Sequence, residues 1–224
     1  VKIALIGDIH ANLPALVRVL EALDALKVDR VYCAGDIVGY YPYPNEVIRL
    51  LRKRKIKSVM GNHDCAVVNG DTSRFNPYAA KAIEWTRENI SARSLEYLCD
   101  LPVQLKVKDI SIAHGSTKSF NDYIYPETPK WMLASMLVEI KAKTLVLGHT
   151  HVQWSCPLKE GLILNPGSVG QPRDGNPNAA FAVYDSKTKE VEFHRVEYDI
   201  HSVIDATIDV GLPDFLAYRL LSGV

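Results

Sequence analysis

At five points along the chain a short apolar run stops at an Asp, Asn or His beside a glycine, and this repeated junction restricts the fold more than any other feature. Residues 3–6 lead into Gly7-Asp8-Ile9-His10, residues 30–34 into Gly35-Asp36, and residues 58–60 into Gly61-Asn62-His63-Asp64. Residues 110–113 lead into His114-Gly115, and residues 144–147 into Gly148-His149-Thr150-His151. Each run is compact and lacks polar alternation, as strands covered on both faces do. In an open α/β sheet, ligands collect at the carboxyl edge of the strands. The five junctions are therefore expected to meet in one cleft.

Helical periodicity fills the intervals. Over 12–28, Leu16, Leu20 and Leu23 share a face, Asn12 stands at the N-cap position and Pro14 in the tolerant first turn. The pattern predicts further helices over 45–55, 77–89, 91–99 and 128–142, with Ser91 capping the third of these. After His151 it changes to successive strands over 152–158, 161–168, 179–185 and 190–199, closed by a helix over 213–221. Alternation followed by consecutive strands predicts a layered α/β (α+β) domain with a partly antiparallel second sheet. No linker or repeat interrupts the 224 residues, so one domain over 1–224 is expected.

Twenty-six basic residues balance 26 acidic ones, which disfavours a protein held on nucleic acid or anionic lipid by overall charge. The basic run Arg52-Lys53-Arg54-Lys55 reads as a helix end favoured by the macrodipole. Nowhere do 18 apolar residues run together, and the opening VKIALIG is too short for a signal sequence. Four cysteines without a C-x-x-C pair read as reduced thiols, consistent with the cytoplasm. Nothing here argues against a homo-oligomer.

Oxygen and imidazole donors without thiolate suit Mn²⁺, Fe²⁺, Ni²⁺, Co²⁺ or Zn²⁺ better than Mg²⁺ or Ca²⁺. Asp8-x-His10 and His149-x-His151 each place two side chains on one side of an extended segment, a chelating spacing. A single Gly-Asp or His-Gly is ordinary turn chemistry. Five of the seven histidines at strand ends are not, whereas His194 and His201 read as structural.

In order, Gly-Asp-Ile-His, Gly-Asp-Ile-Val-Gly, Gly-Asn-His-Asp, Ala-His-Gly and Gly-His-Thr-His resemble the five motifs of the calcineurin-like metallophosphoesterases, over Gly7 to His151. Asn165-Pro-Gly-Ser-Val-Gly resembles the small bacterial and archaeal members. The resemblance implies a four-layer β-sandwich of two mixed sheets flanked by helices. It implies two divalent cations, one on Asp8, His10, Asp36 and His151, the other on Asp36, Asn62, His114 and His149, with Asp36 bridging. A hydroxide held between two such ions attacks phosphorus in line with the leaving oxygen. His63 would serve as general acid or charge stabiliser, with Asp64 orienting its imidazole.

Tyr40 and Tyr41 follow the second motif and are candidates to stack a base, with loop packing as the alternative. Arg173 is a candidate phosphate contact, with a turn pair to Asp174 as the alternative. The implied substrate is a small phosphoester, including nucleotides. Related Ser/Thr protein phosphatases have Asp-Arg-Gly after the second motif, and Gly39-Tyr40-Tyr41 here lacks that cation, which favours phosphodiesters over monoesters. A non-catalytic scaffold similar to the retromer subunit is the competing class. The presence of both Asn62 and His63 argues against it.

Overall fold

A computed structural model describes residues 1–224. β1 (Lys2–Ile6), α1 (Leu13–Leu26), β2 (Arg30–Cys33), α2 (Pro44–Lys53) and β3 (Lys57–Ser58) open the chain. Three helices follow, α3 (Asn62–Asn69), α4 (Pro77–Asn89) and α5 (Ala92–Cys99). Then come β4 (Gln104–Val107), β5 (Ile110–Ala113), α6 (Lys130–Ile140), β6 (Thr144–Val146), β7 (Gln153–Pro157) and β8 (Leu162–Pro166). β9 (Ala179–Asp185), β10 (Val191–Val196), α7 (Ile200–Asp209) and α8 (Asp214–Tyr218) complete it, with a 3₁₀ turn over Arg219–Leu221.

The strands form two mixed five-stranded sheets, ordered β10-β9-β1-β2-β3 and β4-β5-β6-β8-β7. β1, β2 and β3 run parallel in the first, as do β5, β6 and β8 in the second, and antiparallel strands complete each sheet. The second sheet is partly antiparallel, as expected, and the late strands divide between the two sheets. β7 and β8 join one sheet and β9 and β10 the other.

Strand alternation builds the layers. In β1, Ile3 and Leu5 point between the sheets, where they meet Ile110, Ile112, Val146 and Leu164. Ala4 and Ile6 point outward onto Leu16, Val19 and Leu23 of α1 and onto α2. In β6, Val146 faces the other sheet, while Leu145 packs under Leu133 and Leu137 of α6. The order is thus helix, sheet, sheet, helix. Between the sheets Thr144 Oγ1 and the Tyr184 hydroxyl lie 2.9 Å apart and satisfy two groups that burial would otherwise penalise, and Gln153 Nε2 donates across to the Phe181 carbonyl at 3.0 Å.

α1 begins where expected, with Asn12 Oδ1 accepting the Ala15 N–H at 3.1 Å. Three elements were not anticipated. β4 alternates its exposure at a sheet edge, α3 starts inside the Gly-Asn-His-Asp motif, and α7 occupies 200–209. With α4 and α8, α7 closes a separate apolar cluster around Tyr40, Tyr41, Val203 and Leu216, next to the cleft.

Candidate metal centre

The carboxyl ends of β1, β2, β5 and β6, together with the start of α3, deliver Asp8, His10, Asp36, Asn62, His114, His149 and His151 to one place, all of them buried. Ligand atoms of Asp8, His10, Asp36 and His151 lie within 4.8 Å of one another, as do those of Asp36, His114 and His149. Asp36 belongs to both groups. Asn62 joins the second, its Oδ1 standing 3.1 Å from His114 Nε2.

The backbone that does this is not extended, which corrects the simple reading of the Asp-x-His and His-x-His spacings. Asp8, His10, Asp36, His149 and His151 all have φ between 49° and 69°. For a residue with a Cβ such a conformation costs on the order of 1–3 kcal/mol and persists only where surroundings enforce it. Here they do: Asp8 N–H donates to the Gly35 carbonyl at 2.9 Å, and His10 N–H to the Asp36 carbonyl at 2.9 Å. Gly61 provides the seat for Asp36, because a Cβ there would lie 2.0 Å from Asp36 Oδ1.

The protonation pattern says what the cluster can hold. His10 Nδ1 faces the Val38 carbonyl at 3.2 Å and His151 Nδ1 the Gln171 carbonyl at 2.5 Å, so each Nδ1 carries the proton. Both Nε2 lone pairs are then turned on each other at 3.1 Å. His114 repeats this: Nδ1 donates to the Ala34 carbonyl at 2.7 Å, leaving Nε2 against Asp36 Oδ2 at 3.2 Å and Asn62 Oδ1 at 3.1 Å. His149 Nε2 is buried without a partner. Acceptors facing acceptors in a buried site repel unless a cation or proton lies between them. The donor set and its geometry therefore fit divalent cations.

The titration of His10, His149 and His151 agrees, while at His114 a proton on Nε2 takes the place between the acceptors. Burial, followed by the charge of a neighbouring group, depresses His10 and His151 well below the usual imidazole range and His149 to about 3, so all three present lone pairs. Burial raises Asp8 to about 7. Burial would lower His114 too, but Asp36 reverses this and holds it at about 9; in return His114 keeps Asp36 ionised against its own burial.

His63 adjoins this cluster without joining it. Its ring lies 4.7 Å from that of His10, 4.5 Å from Tyr40 and 4.9 Å from Phe75. Its Nδ1 has no partner, and burial lowers its pKa to about 4. Asp64 does not orient this ring, contrary to expectation. Its Oδ1 accepts the Ile37 and Val38 N–H groups at 2.9 and 3.1 Å, and its Oδ2 the Gly61 N–H at 3.0 Å. Sitting in the first turn of α3, the carboxylate staples the Asp36 loop to the helix start. It is a positioning group.

Over the cluster opens a cleft of about 500 Å³. Tyr40 lines it, though the ring is nearly buried and its hydroxyl accepts from Arg173 Nη2 at 3.2 Å. Tyr41 does not reach it. That side chain is fully buried, donating to the Leu216 carbonyl at 3.2 Å, and the expectation of a substrate contact there is corrected. Arg173 does line the cleft, because Asp174 pairs with Arg195 instead. Arg74, Phe75, Tyr123 and Arg219 also line it and were not anticipated. Tyr123 follows the His114-Gly115 junction closely enough to have been suspected; Arg219, from the closing segment, carries no local signal.

Comparison with known proteins gives consistent results. A family model described as the calcineurin-like phosphoesterase superfamily domain matches residues 1–189. An uncharacterized protein of Methanocaldococcus jannaschii is 35% identical over 243 aligned positions, covering 99% of this chain and 98% of that protein. Among solved structures, a metallophosphoesterase from Sphaerobacter thermophilus is 36% identical with a TM-score of 0.87, covering both chains completely. A hypothetical protein from Pyrococcus horikoshii is 26% identical with a TM-score of 0.92, over 100% of this chain and 98% of its own.

Proposed function

The chain belongs to the calcineurin-like phosphoesterase superfamily, and from that premise we propose that it hydrolyses phosphoesters with two divalent transition-metal cations and favours phosphodiesters. The observation that carries this reading is the sharing of Asp36 between two convergent groups of ligand atoms. Asp8, His10, Asp36 and His151 would hold one cation, and Asp36, Asn62, His114 and His149 the other. When bound, the pair supplies a water of lowered pKa and stabilises charge on the phosphoryl oxygens. The imidazole content suits Mn²⁺, Fe²⁺, Ni²⁺, Co²⁺ or Zn²⁺. We read residues 1–224 as one domain, since the closing helices pack on the Tyr40–Tyr41 loop beside the cleft.

The residues do the rest. His63, neutral when the cleft is empty, gains a proton more readily once an anionic phosphate lies beside it, and donates it to the departing oxygen. Aromatic rings stand on both flanks, Tyr40 and Phe75 beside His63, and Tyr123 at 4.1 Å from His149. A diester has a substituent for each side. One observation favours a second reading: Arg173 supplies from another loop the cation missing after the second motif, and a dianionic monoester profits from it. No helix is long and apolar enough to cross a membrane. The four cysteines are unpaired, which suits the reducing cytoplasm we infer.

The test compares kcat/KM for an aryl phosphomonoester and the matching bis-aryl diester at one pH with Mn²⁺ supplied. The proposal expects the diester to win by tenfold or more. A monoester preference of that size would establish the second reading, and no turnover of either would return the scaffold reading.

A further inference from the structure

The cleft carries more positive charge than one phosphate requires. Arg74, Arg173 and Arg219 line it, and its single carboxylate, Asp36, is committed to the ligand groups. Asp174, the residue placed to neutralise Arg173, pairs with Arg195. Arg173 is braced from behind, its Nε and Nη2 donating to Gln171 Oε1 at 3.1 and 2.9 Å. Gln171 Nε2 in turn donates to the Tyr41 hydroxyl at 3.1 Å, and that hydroxyl to the Leu216 carbonyl of α8 at 3.2 Å. A chain of bonds, part-buried at Arg173 and buried beyond it, thus fixes the guanidinium to the closing segment of the protein.

The same segment delivers Arg219. It touches the Arg173 loop again where Gly175 N–H donates to the Gly223 carbonyl at 3.0 Å. The fit is tight, since a Cβ at Gly223 would lie 2.6 Å from the Asn176 carbonyl carbon. Arg219 is itself held, its Nε donating to the main-chain oxygen of Val224 at 2.5 Å and its Cζ standing 5.2 Å from the Phe215 ring. Arg173 and Arg219 line the same cleft, and burial followed by the Arg173 charge lowers the Arg219 pKa. Two preorganised cations in a cleft lined by no carboxylate side chain but Asp36 form a receptor for an anion with several acceptor oxygens. The family match ends at residue 189, so Arg219 belongs to a part of the chain outside that shared core.

Resting on the phosphoester reading above, we propose that Arg173 and Arg219 form a second anion subsite beside the metal centre. The preferred substrate then carries a further phosphate group on the substituent next to the scissile ester. The closing segment, α7 to the 3₁₀ turn, is the specificity element. The ligand groups address the scissile phosphate, and the arginines read whether a second one accompanies it.

Two compounds isolate the effect: thymidine 5′-(4-nitrophenyl phosphate) and its 3′-phosphorylated counterpart share diester and leaving group and differ by one phosphate. With Mn²⁺, the native protein should favour the second in kcat/KM by tenfold or more, mainly through KM. Arg219→Gln, which keeps a donor for the Val224 main-chain oxygen, should reduce that ratio to within twofold, and Arg219→Lys should restore part of it. Unfolding curves for both variants check that the fold is retained. A second readout needs no turnover. Calorimetry on chelator-treated, dialysed protein should show inorganic diphosphate binding at least tenfold tighter than orthophosphate, with Arg219→Gln removing the difference. A native ratio near one, together with equal binding of the two inorganic anions, would overturn the subsite. Absence of turnover with diphosphate selectivity intact would instead overturn the phosphodiesterase reading and leave the subsite standing.

Discussion

Asp64→Asn removes a charge while keeping the shape, and the structure fixes what that should cost. The carboxylate is fully buried and takes three backbone donors, Ile37 and Val38 on Oδ1 and Gly61 on Oδ2. Asn offers one acceptor oxygen. Left on Ile37 and Val38, it turns its NH₂ toward the Gly61 N–H, so one charge-assisted bond becomes a clash of donors. Such a bond contributes about 1.5–3 kcal/mol, and an unsatisfied buried donor costs about 1–3 kcal/mol. With some relaxation, the net loss should be about 3 kcal/mol. For a chain of this size that lowers Tm by roughly 6–12 °C. The assay is thermal unfolding by circular dichroism in chelator at pH 8. Burial and then the Asp36 charge raise the Asp64 carboxyl to about 7, so at pH 8 the native side chain is mostly ionised. A raised carboxylate pKa means the native state takes up a proton more readily than the unfolded chain as pH falls. The native protein therefore gains stability from this group as pH falls from 8 to 6 while the Asn variant does not, and the substitution should cost more at pH 6. A Tm within about 1 °C of native, combined with altered sensitivity to the leaving group, would refute the stapling role and return Asp64 to His63.

His63→Ala should lower kcat by about 10²–10⁴, keep its metal content, and lose less on substrates with low-pKa leaving groups; equal losses across a leaving-group series would contradict proton donation. Gly39→Ala acts on the same ring without touching a ligand, because the new Cβ would lie 2.3 Å from His63 Nδ1 at a φ of 123°. It should cost about 1–3 kcal/mol of stability and at least about tenfold in kcat, and metal loss on elemental analysis would show that the damage reached the ligand loops instead. Mn²⁺ at a hundred times its Kd should stabilise the chelator-stripped protein by about 2.7 kcal/mol per site, read as a rise in Tm that an equal concentration of Ca²⁺ does not match.

Much of the centre was legible because its chemistry sits at strand ends. A short apolar run has one fate in a two-sided sheet, and a following Asp or His has one edge to occupy. What stayed hidden was decided by tertiary geometry. The left-handed backbone at Asp8, His10, Asp36, His149 and His151 overrides the ordinary preference of those residues, and no local pattern announces it. Asp64 looked like the partner of the histidine beside it in sequence. Its acceptors were claimed by amides 26 and 27 residues away. Tyr40 and Tyr41 are neighbours with the same side chain, yet one lines the cleft and the other is sealed beneath α8. Arg219 sits on an unremarkable closing turn, and only the packing of α7 and α8 brings it to the site. The helix over 200–209 was obscured by the preceding strand, whose apolar residues run on toward it without a glycine or proline between.

The central claim is a two-cation centre bridged by Asp36, and a metal count tests it most directly. Elemental analysis of native protein and Asp36→Asn, each loaded with Mn²⁺ and freed of excess, should be read beside their turnover of a bis-aryl phosphodiester. The account predicts two cations per chain in the native protein, at most one in Asp36→Asn, and a loss of turnover that follows the lost metal. Two cations and full activity in Asp36→Asn would contradict it, as would native turnover without any bound metal.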